Sequence, residues 1–399
     1  MAWSDLPSEL LGLVLRRLHS FADRVRVGAV CQPWRSSALL YSELPPAMPW
    51  IALGDEAYLD IINNTVHKLN LNIPSDGDCC GSVDNLLFLT RGGGGCFLAD
   101  PFSSAVHPVA DLALFFKQQT RKEMFSLNYY GRRLSIKKVV VDWPQGSSVE
   151  PVVATLLTNS INMHENTIFV CRAGTDTVGK KSYRTMSVDL WNVLDIAFFH
   201  GNLYAISTCG QLHRVEIRVP SDGNPVITNV KELDTIGSPR RGSNDDYNED
   251  KMVNFIAYEK IIPTEEAYLV ESGDKLLKLN PWIMDSNPGK TVRFTVYEAH
   301  HSSPFKWNLV RSLCGRALFL GRHGSNFKSV PVGDGHYCAQ EDCIYFVHDS
   351  GDFGIYNVKS RKMMGSLVPD TEVLPQPQRP WIPTWVFPRS PVCKLRHLD

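Results

Sequence analysis

Hydrophobic positions along the chain follow two different periods, and the change falls near residue 45. Before it, Leu10, Leu11, Val14, Leu15 and Leu18 recur at one- and four-residue steps, the spacing of one helix stripe, while Arg16 and Arg17 fall off it. Pro7 suits a first helical turn, where its missing N–H has no intrahelical partner to lose, and Glu9 sits at the positive end of the helix dipole. A second helix is expected after Asp23, through Val25, Val27, Ala29 and Val30 to Cys31. Pro33 interrupts it and opens a third helical turn carrying Trp34, Ala38, Leu39 and Leu40. Three short helices of this size bury little apolar surface alone, so the pattern implies a partner surface.

From Pro45 onward short apolar runs are bounded by Gly, Asn, Asp and Pro, which predicts strands and turns. Residues 195–217 read as a three-stranded meander with turns at His200-Gly201-Asn202 and Thr208-Cys209-Gly210. Similar units centre on Phe88, Phe169, Tyr204, Tyr268, Phe319 and Tyr345. Repeated meanders without long helices predict an all-β domain of propeller type, with a β-sandwich or several β-domains as the alternatives. The six aromatic markers lie at steps of 81, 35, 64, 51 and 26 residues, too irregular to fix a blade number.

Two motif sets carry a resemblance. Trp3-Ser-Asp-Leu-Pro-Ser-Glu-Leu-Leu11, then Leu15-Arg-Arg-Leu18, then Val30-Cys-Gln-Pro-Trp-Arg35 resembles the F-box pattern of Leu-Pro-x-Glu-Leu, a later Leu, and Val-Cys-x-x-Trp-Arg. The body resembles the KIB-type β-propeller that follows the F-box in a large plant family. That likeness rests on Met48-Pro-Trp-Ile51, Ala99-Asp-Pro-Phe102, His200-Gly-Asn-Leu-Tyr204, Phe319-Leu-Gly-Arg322, Ile344-Tyr-Phe346 and Trp385-Val-Phe-Pro388. The resemblance implies an F-box helical domain over residues 1–44 and a propeller over residues 45–399. It further implies that Leu6, Pro7, Leu11, Leu15, Val30 and Trp34 lie at or just beneath the surface that meets a Skp-type adaptor, and through it a Cullin.

Composition narrows the rest. A hydrophobic content of 43% supports a core, and a formal net charge of -1 with pI near 6.9 gives no field to draw the whole molecule to nucleic acid or an anionic membrane. The first 40 residues hold five arginines against Asp5, Glu9 and Asp23, a net +2 that suits an acidic adaptor. No apolar run approaches a spanning helix, and the ten scattered cysteines lack a secreted framework, so a cytoplasmic and/or nuclear protein with free thiols is expected.

Candidate chemistry is sparse. Gly174-Thr-Asp-Thr-Val-Gly-Lys180 fits most of a phosphate-binding loop, yet Lys181 replaces the hydroxyl residue that should meet magnesium. His336, Cys338, Cys343 and His348 are metal-ligand types, but their spacing suits a hairpin with apolar thiols better than a zinc knuckle. Arg121, Lys122, Arg132, Arg133, Lys137 and Lys138, with Tyr129 and Tyr130, suit a solvated face better than an RNA site. Residues 237–250 are polar enough for a loop. No nucleophile motif is present, so no catalytic residue, cofactor or metal is expected. The reading is therefore a non-catalytic substrate-recognition subunit of a Skp/Cullin/F-box ubiquitin ligase, whose propeller holds an unknown protein substrate. The alternative is a propeller scaffold or inhibitor that masks a partner without ubiquitination.

Overall fold

A computed structural model describes residues 6–40, 44–54, 56–69, 77–91, 95–103, 105–125, 134–143, 150–159, 164–174, 186–220, 223–233, 235–236, 255–256, 259–300, 305–321, 327–333, 337–347, 353–367 and 381–388. Three helices come first: α1 (Ser8–Arg17), α2 (Phe21–Val30) and α3 (Gln32–Leu40). Pro7 precedes α1, Glu9 lies in its first turn and Arg16 and Arg17 in its last, so the charges follow the dipole. Ser20 caps α2 by accepting the backbone N–H of Asp23. The cap therefore lies three residues earlier than the Asp23 cap expected from sequence.

Six sheets follow, arranged as the blades of a propeller. Blade 1 joins Thr384–Val386 to Trp50–Gly54, Ala57–Asp60 and Thr65–Lys68. Blade 2 runs Gly77–Val83, Leu86–Arg91, Cys96–Ala99 and Val106–Pro108, and blade 3 runs Leu134–Asp142, Val152–Asn159, Glu165–Arg172 and Ser187–Trp191. Blade 4 is the meander legible in the sequence: Val193–Phe199, Asn202–Ser207, Leu212–Arg218 and Val226–Leu233. Its first hairpin pairs Phe199 with Asn202 across His200 and Gly201, both at positive φ (47° and 70°), which is the backbone of a type I′ turn. Blade 5 has seven strands around Lys275–Met284 and Asn287–His300, and blade 6 has five around Arg316–Leu320 and Cys343–Val347.

Each gap between blades is filled by one apolar cluster. Tyr58, Leu87, Leu89 and Phe97 join blades 1 and 2, and Leu86, Phe88, Val153 and Phe169 join blades 2 and 3. Ala154, Ile168, Ile196 and Leu203 serve blades 3 and 4, Phe199, Tyr204, Leu276 and Trp307 blades 4 and 5, and Leu279, Phe294, Leu318 and Phe346 blades 5 and 6. Ile51, Leu59, Phe319, Tyr345 and Trp385 complete the ring between blades 6 and 1. Closure depends on the late strand: Trp385 pairs with Ile51, and its indole donates to the Leu320 carbonyl at 3.0 Å. Ser82 of blade 2 donates to the Trp385 carbonyl at 2.6 Å from the other side. Early and late strands of the propeller segment are thus held in one sheet, which closes the ring of blades.

One element departs from the sequence expectation of a body without long helices. Ala110–Phe125 forms a 16-residue helix, α4, between blades 2 and 3. Val109, Leu112 and Phe115 bury its first turns against Phe88 and Phe169, with the Phe115 and Phe169 rings 4.7 Å apart. No helix among the described residues is long and apolar enough to cross a membrane.

Candidate functional site

The helical head has a small core of its own and an uncovered face. Leu11, Leu15 and Ala38 are buried, and Leu6, Leu18, Val27, Trp34 and Leu44 pack around them. On the other side of α1, Leu10, Leu13 and Val14 are 48%, 49% and 44% exposed. They stand at i, i+3 and i+4, so they form one contiguous patch. Val30, at the end of α2, is 60% exposed, and Pro7 is exposed as well. Of the six residues expected at or beneath an adaptor surface, Pro7 and Val30 are therefore on the outside, Leu6 and Trp34 are half-buried, and Leu11 and Leu15 lie inside the head.

Sequence reasoning placed Leu10, Leu11, Val14 and Leu15 on one stripe, whereas the fold divides them between two faces. Leu13 was missed altogether. Its signal was present: a helix whose Leu and Val positions cover more than a narrow stripe has more apolar surface than its own small core can take.

The head's charges also divide. Arg16, Arg17, Arg26 and Arg35 are exposed, but Arg24 is buried, donating to the carbonyls of Leu18 at 2.7 Å and Pro45 at 2.6 Å. Burial pulls its pKa down to about 10. Arg24 therefore ties the end of α1 and the linker together, and the other four arginines of the head face solvent.

The first turn of α2 fixes the head to the propeller. Phe21 is 1% exposed and sits between blades 1 and 2, its ring 5.6 Å from Trp50 and 5.1 Å from Phe102, both edge-on. Ser20 donates to buried Asp60 at 2.5 Å, Asn63 donates to Asp23 at 3.1 Å, and the Met48 N–H donates to the His19 carbonyl at 3.0 Å. His67 stacks on Trp50 with ring centres 5.0 Å apart. Burial holds the imidazole pKa of His67, and that of His19, below the usual value.

The other sequence candidates fare differently. Gly174 donates its backbone N–H to the Pro108 carbonyl, so that amide is not free to cradle phosphate; the rest of the loop lies outside the described residues. Cys343 is a buried strand residue whose sulfur accepts from Asn357 at 3.3 Å, and Cys338 is exposed; His336 and His348 lie outside the described residues, as do residues 237–250. Among the described residues no group of His, Cys, Asp and Glu is arranged to hold a metal. Lys138, read from sequence as part of a solvated basic run, is instead buried and paired with Asp195 at 2.8 Å.

Comparison with known proteins matches the two units separately. The model of the KIB1-4 beta-propeller family matches residues 58–357. The chain belongs to this family. The F-box-like family model matches residues 3–44 of the same KIB-type chain, covering all three helices of the head. Two Arabidopsis thaliana proteins, F-box protein At2g17690 and F-box protein At2g26160, are 53% and 47% identical over 36 residues, spanning 9% of this chain and 9% and 11% of their own lengths. A third from the same plant, putative F-box protein At3g25750, is 23% identical over 232 residues, 53% of this chain and 58% of the relative. Each match thus spans less than two thirds of the relative. The N-terminal domain of Nup159 is 11% identical with 91% of this chain and 83% of that chain covered, but its TM-score of 0.29 carries no argument.

Proposed function

We propose that this KIB-type chain is the substrate-recognition subunit of a Skp/Cullin/F-box ubiquitin ligase. The observation that carries the reading is the uncovered Leu10, Leu13 and Val14 face of α1, with Val30 also exposed at the end of α2, on a head that is otherwise packed and fixed to a closed propeller. These side chains are about half exposed, so covering them contributes roughly 0.7–1.5 kcal/mol each before association costs, a few kcal/mol together. A Skp-type adaptor takes this face, with Pro7 and half-buried Leu6 and Trp34 at its rim and Leu11 and Leu15 supporting it from beneath. The exposed arginines steer an acidic partner. The Cullin binds through the adaptor, and the propeller holds a protein substrate.

The chain itself performs no bond chemistry in this scheme. Its rate contribution is proximity: fixing the substrate to the same scaffold as the ubiquitin-charged enzyme raises the effective concentration of acceptor lysines. Rigidity at the Phe21 junction serves that end, because a head that swings freely dilutes the gain. The work takes place in the cytosol and/or nucleus, where such ligases and free thiols coexist.

The test is proteomic. Proteins captured by the full chain in plant cells are quantified with and without a Cullin-activation inhibitor, and beside a Leu10→Asp/Val14→Asp variant. An adaptor predicts that captured partners accumulate under the inhibitor and with the variant. Partners whose levels stay constant in both arms would instead favour a scaffold that masks its partner.

A further inference from the structure

On the propeller axis the innermost strands of blades 2 to 6 surround a cavity of about 380 Å³. That volume lies in the range of small-molecule sites. Phe198, Leu269 and Phe327 give it apolar walls, and three cations and two carboxylates reach it or its rim.

Most of those charges are already neutralised. Lys138 donates to Asp195 at 2.8 Å, and Lys328 donates to Asp84. Arg316 is different. Its Nε donates to Ser329 Oγ at 2.8 Å and its Nη2 to the Ser329 carbonyl at 3.1 Å, while Ser329 Oγ is itself bonded to Ser272 Oγ at 2.7 Å. One edge of the guanidinium is thus clamped, and among the described residues Nη1 has no partner. That end lies over Gly273, where a Cβ would stand 3.8 Å from Nη1, so Gly273 places no side chain against it. A planar fork held along one edge and open along the other is prepared for a carboxylate.

Glu271, two positions before Gly273, also lines the cavity; its carboxylate accepts the His200 backbone N–H, and among the described residues it forms no salt bridge. Burial pushes its pKa up, His200 pulls it back, and Asp142 adds a smaller upward push. Among the described residues, the three cations Lys138, Arg316 and Lys328 are matched by the lining carboxylates Asp84 and Glu271 together with Asp195, which lies behind Lys138, so these groups balance. A polyanion would bring several uncompensated charges, whereas one carboxylate brings at most one, and none where its N–H donor is an ammonium.

We propose that the axial cavity binds an organic monocarboxylate bearing an adjacent N–H donor and an apolar group, with the carboxylate on the open edge of Arg316 and the N–H at Glu271. A free amino acid and the C-terminal residue of a peptide share this chemistry. The proposal is independent of adaptor docking, because every residue it uses belongs to the propeller.

Calorimetric titration of the full chain tests it with phenylalanine, phenylalaninamide, 3-phenylpropionate, inorganic phosphate, and one short peptide ending in phenylalanine as free acid or amide. The expected result is binding of phenylalanine or the free-acid peptide, with the tighter of the two naming the source. Each amide should bind at least about tenfold more weakly, and 3-phenylpropionate should fall below phenylalanine, because each loses one of the two anchors. Arg316→Gln should weaken binding by a similar factor, Arg316→Lys should restore it only partly, and Glu271→Gln should erase the advantage of phenylalanine over 3-phenylpropionate. The acid-against-amide comparison on the unmodified protein stands even where a variant misfolds. Absence of binding by every carboxylate at millimolar concentration, equal binding of acid and amide, or displacement by phosphate would overturn the proposal.

Discussion

Replacing Phe21 by Ala removes the ring that wedges the head between blades 1 and 2. The ring is 1% exposed and meets Trp50 and Phe102 edge-on, at 5.6 and 5.1 Å. Truncating a buried Phe costs about 3–5 kcal/mol, of which each aromatic contact supplies roughly 0.5–1.5 kcal/mol beyond area burial. This side chain joins two units, so the loss falls first on their docking. At about 1.4 kcal/mol per tenfold, 3 kcal/mol raises the undocked population by roughly two decades. Hydrogen exchange reads that directly: amides of α2 should exchange about a hundredfold faster in Phe21→Ala, while those of blade 4, remote from the junction, should not change. Adaptor binding should persist, since Leu10, Leu13 and Val14 take no part in the junction. Unchanged exchange in α2 with a folded variant would refute the reasoning, and so would equal acceleration in blade 4.

Three further outcomes follow from the same geometry. Asp195→Asn leaves Lys138 charged in a site where its side chain is only 3% exposed, so it should destabilise the propeller by roughly 3–5 kcal/mol, whereas Lys138→Met/Asp195→Leu should cost much less; urea unfolding of both separates the cases, and a mild single variant would show the site to be wet. Trp385→Ala removes the closure contact with Phe319 at 5.1 Å and the bond to Leu320, and a loss of about 3–5 kcal/mol with early cleavage near the seam is expected in limited proteolysis; an unchanged digestion pattern would count against closure by this strand. The depressed imidazole pKa values of His67 and His19 mean that the unfolded chain takes up these protons first, so stability is full above about 6.5 and falls as pH drops below it. Melting between pH 7.5 and 5 should show that loss, reduced in His67→Gln, while a rise in stability on acidification would reverse the sign.

Local features were the legible ones. The His200-Gly201 turn announced the blade 4 hairpin, because a two-residue loop with both residues at positive φ needs such types. The irregular spacing of the aromatic markers has a structural cause: Phe319 and Tyr345 stand in neighbouring strands of one blade, stacked 4.8 Å apart, and Phe88 and Phe169 occupy second and third strands of theirs. Blade 1 carries none of the markers, since its innermost strand comes from the far end of the chain. Long-range facts of this kind leave little local trace. The same holds for Lys138, whose partner Asp195 is 57 positions away, so a basic run could not reveal which lysine turns inward. In the head, periodicity located the apolar face of α1 but not its division, because Leu10 and Leu11 differ by one position and point to opposite environments only once α3 has packed.

The account rests on the uncovered face of α1 being completed by another protein, and calorimetric titration of the full chain with a plant Skp-type adaptor measures that most directly. The expected result is a one-to-one complex that Leu10→Asp/Val14→Asp weakens by about a hundredfold with melting unchanged, since two half-exposed apolar anchors of roughly 0.7–1.5 kcal/mol each are lost and two carboxylates are placed in the interface. A folded chain that fails to bind the adaptor, or a variant that binds it as tightly as the unmodified protein, would contradict the account.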